Sequence, residues 1–296
     1  MRKFVVAALL ASLLVACGGG GGSSEALSVP PPIAGQKLVG EVIAVPSEIA
    51  STELRTTAGY AGNVTASNAL QAAGKENLLD LLFMLDGARN KVAADAESRL
   101  AQYATDNANL LTPGVRVLIA DEVFWNPADS SDTDAVLQPQ LDALRDAVTM
   151  VRRYIPQARI GITVSPYAMT GRPNALEYAK RAIASVDWVG TDPYWLGDPA
   201  NVQSLDDWSS TFNTLAKRAN PAVETWFIAQ AFKDPAWDEA TFNRFIAAQL
   251  SYAEQYDNIL FFGWQFTSEL AGSAAGKNFP LETRRLYSKY LKTPVQ

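Results

Sequence analysis

Two adjacent acids follow an apolar run near the middle of the chain, in the stretch LIADEVFWN (residues 118–126). Asp121 and Glu122 close the run, and Trp125 comes three residues after Glu122. A carboxylic acid that is buried beside a second carboxylate can act as a general acid, because burial and the neighbouring charge both raise its pKa. The pattern therefore makes Glu122 a candidate general acid, with Asp121 beside it.

The four later apolar runs also end in polar and aromatic residues. The side chains that follow them are those of Tyr167, Asp192, Tyr194, Trp195, Gln230, Trp264 and Gln265. Such ends in succession indicate one concave pocket lined by polar and aromatic groups. Carboxylates and amides hydrogen-bond sugar hydroxyls, and aromatic rings stack on the apolar faces of sugars. The inventory predicts a carbohydrate site, although core packing is the better explanation for any single tryptophan.

The runs that carry these ends alternate with helical patterns. Strands are predicted at 38–45, 115–120, 159–164, 186–191, 225–230 and 259–266, and helices at 88–110, 135–154, 175–184, 205–219, 239–256 and 281–291. The run 78–85 is interpreted as a buried strand or helix end that closes on Asp86, and the second strand is not placed. Apolar strands separated by amphipathic helices are typical of a parallel sheet covered by helices.

The regular repeat of these units predicts the fold class. Five strands fit between residue 115 and the C-terminus, and residues 38–110 have room for the rest. We therefore predict an α/β fold, a single-domain (β/α)8 TIM barrel whose chemistry lies at the C-terminal ends of the strands. An open, doubly wound sheet is the alternative, although no glycine-rich phosphate loop follows the first strand.

The amino-acid composition limits the kinds of catalytic and binding site that the chain can form. The 296 residues include no histidine and one cysteine, and the net charge is −6. Serine–histidine and cysteine–histidine nucleophile systems are excluded, and acidic charge gives nucleic-acid binding no support. No cofactor and no metal are expected, and the acidic loop 129–134 is predicted to cap the helix that begins at Ala135.

The sequence pattern at the N-terminus predicts that the protein is located in the bacterial cell envelope. Residues 1–17 combine a basic start with a short apolar segment and end in Leu-Val-Ala-Cys, which is typical of a bacterial lipoprotein signal with Cys17 as the lipidated residue. A plain secretory signal with an incidental cysteine is the alternative. Residues 18–36 form a Gly/Ser/Pro tether, and residues 37–296 form the barrel domain. We expect the protein to be lipid-anchored in the bacterial cell envelope, at the outer membrane.

The segments ADEVFW, DWVGTDPYW, WFIAQAF and FFGWQF, in this order and spacing, resemble the later strands of glycoside-hydrolase-like barrels of the cellulase-like clan. The resemblance covers about residues 115–270 and implies that Glu122, at the end of the fourth strand, is the acid/base. In retaining members the nucleophile is a glutamate that ends the seventh strand, and Gln230 stands at that position here. An amide is a poor nucleophile, which disfavours retention.

Three functions remain open on these residues. In the first, the protein is a glycoside hydrolase in which Glu122 is the general acid and Asp192 the general base. In the second, it is a glycan-binding lipoprotein on a barrel that has lost hydrolysis. In the third and weakest, it is a structural envelope protein without a ligand. Strand alternation predicts that only one of Asp121 and Glu122 need face the pocket, and Asp192 could be a turn residue.

Overall fold

A computed structural model describes residues 37–42, 56–125, 131–194, 202–230 and 238–262, and every structural statement below refers to them. Eight parallel strands form a closed barrel in sequence order. They are β1 (Val39–Val42), β2 (Ala58–Ala61), β3 (Glu76–Asp80), β4 (Arg116–Ala120), β5 (Arg159–Thr163), β6 (Trp188–Thr191), β7 (Glu224–Gln230) and β8 (Asn258–Phe262). This architecture confirms the predicted (β/α)8 TIM barrel and excludes the open sheet.

Seven α-helices lie in the described part of the chain. They are α1 (Val64–Ala72), α2 (Ala96–Asp106), α3 (Asp134–Tyr154), α4 (Pro166–Met169), α5 (Pro173–Ile183), α6 (Val202–Ala219) and α7 (Glu239–Ala253). Their apolar faces pack with the outward side chains of the strands into the main hydrophobic core. No helix in these ranges is long and apolar enough to cross a membrane. The predicted strand continuation beyond 262 and the predicted helix 281–291 lie outside the described residues.

The segment between β3 and α2 differs from the sequence prediction. The apolar run 78–85 is not one element, because β3 ends at Asp80 and a 3₁₀ turn (Leu82–Met84) follows. Asp80 Oδ1 accepts a hydrogen bond from the backbone N–H of Leu82 at 2.8 Å, and this bond turns the chain out of the strand. Asp86 therefore lies in a later loop rather than at a strand end. The predicted helix 88–110 is likewise wrong over its first eight residues, since α2 begins at Ala96.

The acidic loop before α3 also differs in detail. Asp132 accepts hydrogen bonds from the backbone N–H groups of Asn174 and Ala175, at 2.9 and 2.7 Å. It thereby caps the N-terminus of α5 rather than the helix that follows it in sequence. Thr133, the N-cap residue of α3, makes no side-chain capping bond. The loop after β4 is consequently docked onto the neighbouring βα unit.

Alternate residues of each strand fill the barrel interior. The interior cluster consists of Leu38, Ala58, Tyr60, Leu78, Leu118, Trp188, Trp226, Ile228 and Leu260. Trp188 and Trp226 pack with their ring centroids 6.2 Å apart, and both side chains are buried. Gly161 on β5 leaves the space that the Trp188 indole occupies, since a Cβ at this position would lie 1.9 Å from the ring. The interior is thus a packed core below the polar mouth.

An ion-pair cluster closes the N-terminal end of the barrel. Glu224, the first residue of β7, accepts hydrogen bonds from Arg116 at 2.7 and 3.0 Å and forms a further short contact with Arg159. Trp226 and Asn258 donate to the same carboxylate at 2.6 and 2.8 Å. Burial opposes ionisation of Glu224, but the hydrogen bonds and charges of the two arginines outweigh it and lower the pKa. This end therefore holds a paired, ionised acid.

The close approach of Gly161 to Trp188 gives a stability prediction. We expect Gly161→Ala to lower the free energy of unfolding by about 2 kcal/mol or more, because the added methyl overlaps the indole. Gly62→Ala is the matched control, since a Cβ there meets nothing within 4 Å, and its effect should stay within about 1 kcal/mol. Urea unfolding measures both. Equal effects of the two substitutions would show that Gly161 is not needed for the packing.

Candidate functional site

A β-bulge at the end of β4 sets which acid faces the barrel interior. Leu118 pairs with Gly161 on β5, but the next pair is Ala120 with Ile162, so β4 contains one extra residue. The extra residue shifts the alternation, and Asp121 takes the inward position. Its Oδ1 accepts a hydrogen bond from the Thr163 hydroxyl at 2.6 Å. The first of the two adjacent acids is therefore anchored inside the mouth.

The second acid reaches the same mouth through a left-handed turn. Glu122 has a φ of 46° and Phe124 a φ of 62°, a conformation that costs a non-glycine residue about 1 kcal/mol or more. Thr163 stabilises the turn, because its hydroxyl accepts a hydrogen bond from Glu122 N at 2.6 Å and its carbonyl accepts one from Val123 N at 3.0 Å. The expectation that only one of the two acids need face the pocket is thus wrong, because the bulge and the turn override simple alternation.

The Glu122 carboxyl meets Asp192, which follows β6 and is 5% exposed. The two carboxyl groups are near enough for each to change the pKa of the other. Burial first, and then the charges of Glu122 and Asp121, raise the pKa of Asp192 well above its ordinary value. Burial and the charge of Asp121 also raise the pKa of Glu122. The pair therefore retains a proton at a pH where exposed acids are ionised.

Smaller effects oppose this rise at Glu122. The Arg89 guanidinium and the nearby Ser165 hydroxyl both lower the pKa of Glu122, though less than burial raises it. Ser165 Oγ and Asp192 Oδ1 are buried and have no hydrogen-bond partner of ordinary geometry in the described part of the chain. A donor–acceptor hydroxyl and a carboxyl oxygen are therefore available beside Glu122, and together they suit a ligand hydroxyl.

Aromatic residues follow the same strand ends as the acids. The Tyr194 ring packs against Phe262 with a centroid distance of 5.5 Å, and its carbonyl accepts a short hydrogen bond from the Tyr167 hydroxyl. Burial, followed by the charges of Asp192 and the two other acids, raises the pKa of Tyr194. The backbone N–H of Trp125 donates to the Glu122 carbonyl at 3.1 Å, and Trp125 is 39% exposed. Trp125 therefore lies at the rim, next to the candidate acid.

Sequence reasoning missed Asp80 and Tyr60, which lie near these acids. Asp80 ends β3 and adds a fourth carboxyl to the strand ends, and the Tyr60 hydroxyl on β2 donates to its Oδ2 at 2.8 Å. Burial, the charge and hydrogen bond of Asp80, and the charge of Asp121 all raise the pKa of Tyr60. Asp80 is the single acid inside the apolar run 78–85, and this feature of the sequence could have indicated that the strand ends there.

The remaining predicted residues have mixed outcomes. Gln230 is the last residue of β7 and is fully buried, and its backbone N–H and carbonyl bond the Gln249 side chain of α7 at 2.6 and 3.3 Å. Its strand partner is Phe262, so it lies at the level of the mouth. The predicted residues Trp195, Trp264, Gln265 and Cys17 lie outside the described residues. Within the described ranges, no group of three or more histidine, cysteine or acidic residues has the geometry of a metal site.

The structure thus brings part of the predicted set together. Asp121, Glu122 and Asp192 interact with one another and with Tyr194, while Trp125 stands at the rim. Tyr167 contributes through its hydrogen bond to Tyr194 rather than through contact with the acids. The arrangement can hold and transfer a proton in a buried, aromatic-lined mouth.

Solved structures that resemble this barrel include glycoside hydrolases. No protein-family model and no curated protein matches the chain in sequence. A putative alpha-L-fucosidase from Bacteroides thetaiotaomicron matches with a TM-score of 0.55 and 11% identity, over 93% of this chain and 98% of that one. A family 10 endo-beta-1,4-xylanase from Gloeophyllum trabeum matches with a TM-score of 0.55 and 10% identity, over 85% and 96%.

A third match is longer than this protein. It is an FMN-binding beta-glucuronidase from Facaelibacterium prausnitzii, with a TM-score of 0.56 and 11% identity over 88% of this chain but only 44% of that chain. At these identities the similarity shows the fold alone. The fold is therefore a TIM barrel of the kind found in glycoside hydrolases, and the chemistry must be argued from this chain's own residues.

The buried acid pair gives a pH prediction. In the unfolded chain Asp192 ionises above its ordinary pKa of 3.8, whereas in the folded state its pKa is raised. The native state therefore loses stability as the pH rises from the ordinary pKa of Asp192 towards the raised one. We expect Asp192→Asn to remove this loss. The free energy of unfolding of the variant, relative to the unchanged protein, should therefore increase as pH rises from about 4 to 7.

Urea unfolding across this pH range measures the effect. Asp146→Asn on the exposed face of α3 is the control and should give a constant difference. A constant difference for Asp192→Asn as well would contradict the proton-holding pair.

Proposed function

We propose that the protein is a carbohydrate-active hydrolase that cleaves a glycosidic bond of a poly- or oligosaccharide, with Glu122 as the general acid. One observation carries the proposal, the placement of Glu122 next to the buried Asp192 and beside Asp121, which raises the pKa of both Glu122 and Asp192. A general acid needs a proton at working pH, and this pair supplies one without histidine. The aromatic mouth and the glycoside-hydrolase-like barrel support a sugar as the ligand.

Hydrolysis assigns a role to each acid. Glu122 donates its proton to the glycosidic oxygen as the bond from that oxygen to the anomeric carbon breaks, and a water molecule adds to the anomeric carbon. Asp192 is held in an environment that favours its protonated form, so it suits reprotonation of Glu122 better than the general-base role suggested by the sequence. Asp121, oriented by Thr163, is assigned as the carboxylate that accepts the proton of the attacking water.

Glycan binding without hydrolysis is the second candidate. It is favoured by Gln230, a buried amide at the end of the seventh strand where retaining hydrolases need a carboxylate. In that case Ser165 Oγ and Asp192 Oδ1 would bind sugar hydroxyls, and the acid pair would serve recognition.

Attachment to the envelope is a separate proposal. The basic start, the short apolar segment and the Leu-Val-Ala-Cys sequence ending at Cys17 support a lipid anchor. Residues 18–36 would then hold the barrel away from the outer membrane, where its mouth can reach polymeric carbohydrate.

The catalytic proposal is tested by Glu122→Gln. We expect the protein to release reducing ends from a member of a polysaccharide panel, and the substitution to lower turnover by about 100-fold or more, because the amide carries no transferable proton. Glu177→Gln, an exposed glutamate of α5, is the matched control and should retain full activity. Undiminished turnover in Glu122→Gln rejects the assignment. Glycan binding with no product from any polymer favours the second candidate.

The rim tryptophan is tested by Trp125→Ala and Trp125→Phe. Its exposure beside Glu122 makes its ring a stacking surface for a sugar. We expect Trp125→Ala to weaken glycan affinity several-fold, and Trp125→Phe to recover most of it because an aromatic face remains. Isothermal titration with the bound oligosaccharide measures both. Unchanged affinity in the alanine variant would place the sugar elsewhere.

A further inference from the structure

We propose that Arg89 is a positioning residue for Glu122, which it holds through the backbone carbonyls of the turn that carries this acid. The inference rests on the role proposed above for Glu122. Arg89 comes from the loop after β3, and it acts on a segment more than thirty residues later in the chain.

The guanidinium bridges the two adjacent acids at their backbone. Arg89 Nη1 donates to the Glu122 carbonyl at 2.6 Å and makes a short hydrogen bond to the Asp121 carbonyl. The bulged stretch leaves the regular ladder of β4 and β5 at this point, so its carbonyls need other donors. A charged guanidinium with several N–H groups in fixed geometry is a strong donor for this purpose.

The loop that presents Arg89 is itself ordered. Arg89 has a φ of 56°, and its N–H donates to the Asp86 carbonyl at 2.9 Å. Asp86 Oδ1 accepts from Asn90 N at 3.0 Å, and Asp86 N donates to the Lys91 carbonyl at 3.1 Å. A left-handed residue held in a bonded turn gives the side chain a defined origin.

Glu122 is thereby fixed on both sides of its backbone. Its N–H is bound by Thr163, and its carbonyl is bound by Arg89 and by the N–H of Trp125. The left-handed φ of Glu122 is unfavourable on its own, so these bonds determine where the carboxyl points. Arg89 supplies the part of this restraint that is both charged and remote in sequence.

Arg89 also acts on the charge of the carboxyl. The groups that face Glu122 from the described elements are Asp121 on its own strand, Asp192 after β6, Ser165 after β5 and Arg89. Tyr194, also after β6, senses the charge of Glu122 in turn. Among these groups Arg89 is the cation. Without Arg89, no positive charge opposes the rise in the Glu122 pKa that burial and Asp121 cause. Loss of a purely structural anchor would not raise the Glu122 pKa in this way.

The experiment follows the Glu122 carboxyl directly. Protein labelled with ¹³C at the glutamate carboxyl carbon is titrated by NMR without any saccharide, and the Glu122 signal is identified by its loss in Glu122→Gln. We expect Arg89→Met to move the Glu122 titration to higher pH and to lower turnover of the polysaccharide. Arg145→Met, an exposed arginine of α3, removes the same charge elsewhere and should change neither. A folded Arg89→Met variant that titrates as the unchanged protein overturns the proposal.

Arg89→Lys provides a second variant if the methionine variant does not fold. It keeps the charge but loses the planar guanidinium, so Glu122 should titrate near its original pH while the amide protons of Glu122 and Trp125 exchange faster with solvent. Unchanged exchange of both amides overturns the positioning role. The titration and exchange need no substrate, so a protein that hydrolyses no polymer refutes the proposed function while these two measurements still decide the role of Arg89.

Discussion

The site depends on one backbone constraint, that two consecutive carboxyl groups must reach the same side of a strand. Regular alternation would place Asp121 and Glu122 on opposite faces. The bulge after Leu118 turns Asp121 inward, and the left-handed turn at Glu122 brings the second acid back over the mouth. Thr163 bonds both residues and thereby couples the end of β4 to β5. Strain at this turn is stored where the chemistry is proposed, as is common for functional sites.

The two ends of the barrel offset the free-energy cost of burying an acid in opposite ways. At the N-terminal end, Glu224 is paired with two arginines and its pKa is lowered, so it stays ionised and stabilises the closed end. At the C-terminal end, burial and the neighbouring acids raise the pKa values of Glu122 and Asp192, which favours a proton on the pair. An ionised, paired acid is inert, whereas a protonated pair can give a proton away. This difference separates the end at which chemistry is proposed from the end at which the acid is held in ion pairs.

The sequence predicted strands β4 to β8 well, because these strands are apolar and are followed by polar residues. It could not place β2, since Ala58–Ala61 is a four-residue strand of small residues and one tyrosine. It misplaced the end of β3, because the apolar run continues past Asp80 into a 3₁₀ turn. That both Asp121 and Glu122 face the mouth could not be predicted either, since a bulge leaves no pattern in the sequence. The position of Arg89 could not be predicted either, because its hydrogen-bond partners are backbone carbonyls.

The central claim is that the carboxyl groups of Glu122 and Asp192 share one proton inside the mouth. A near-atomic-resolution crystal structure at neutral pH tests it most directly. We expect carboxyl oxygens about 2.5–2.7 Å apart, the separation of a charge-assisted O–H···O hydrogen bond, with Asp121 bonded to Thr163 beside them. Two carboxylates pointing away from each other, each solvated separately, would contradict it.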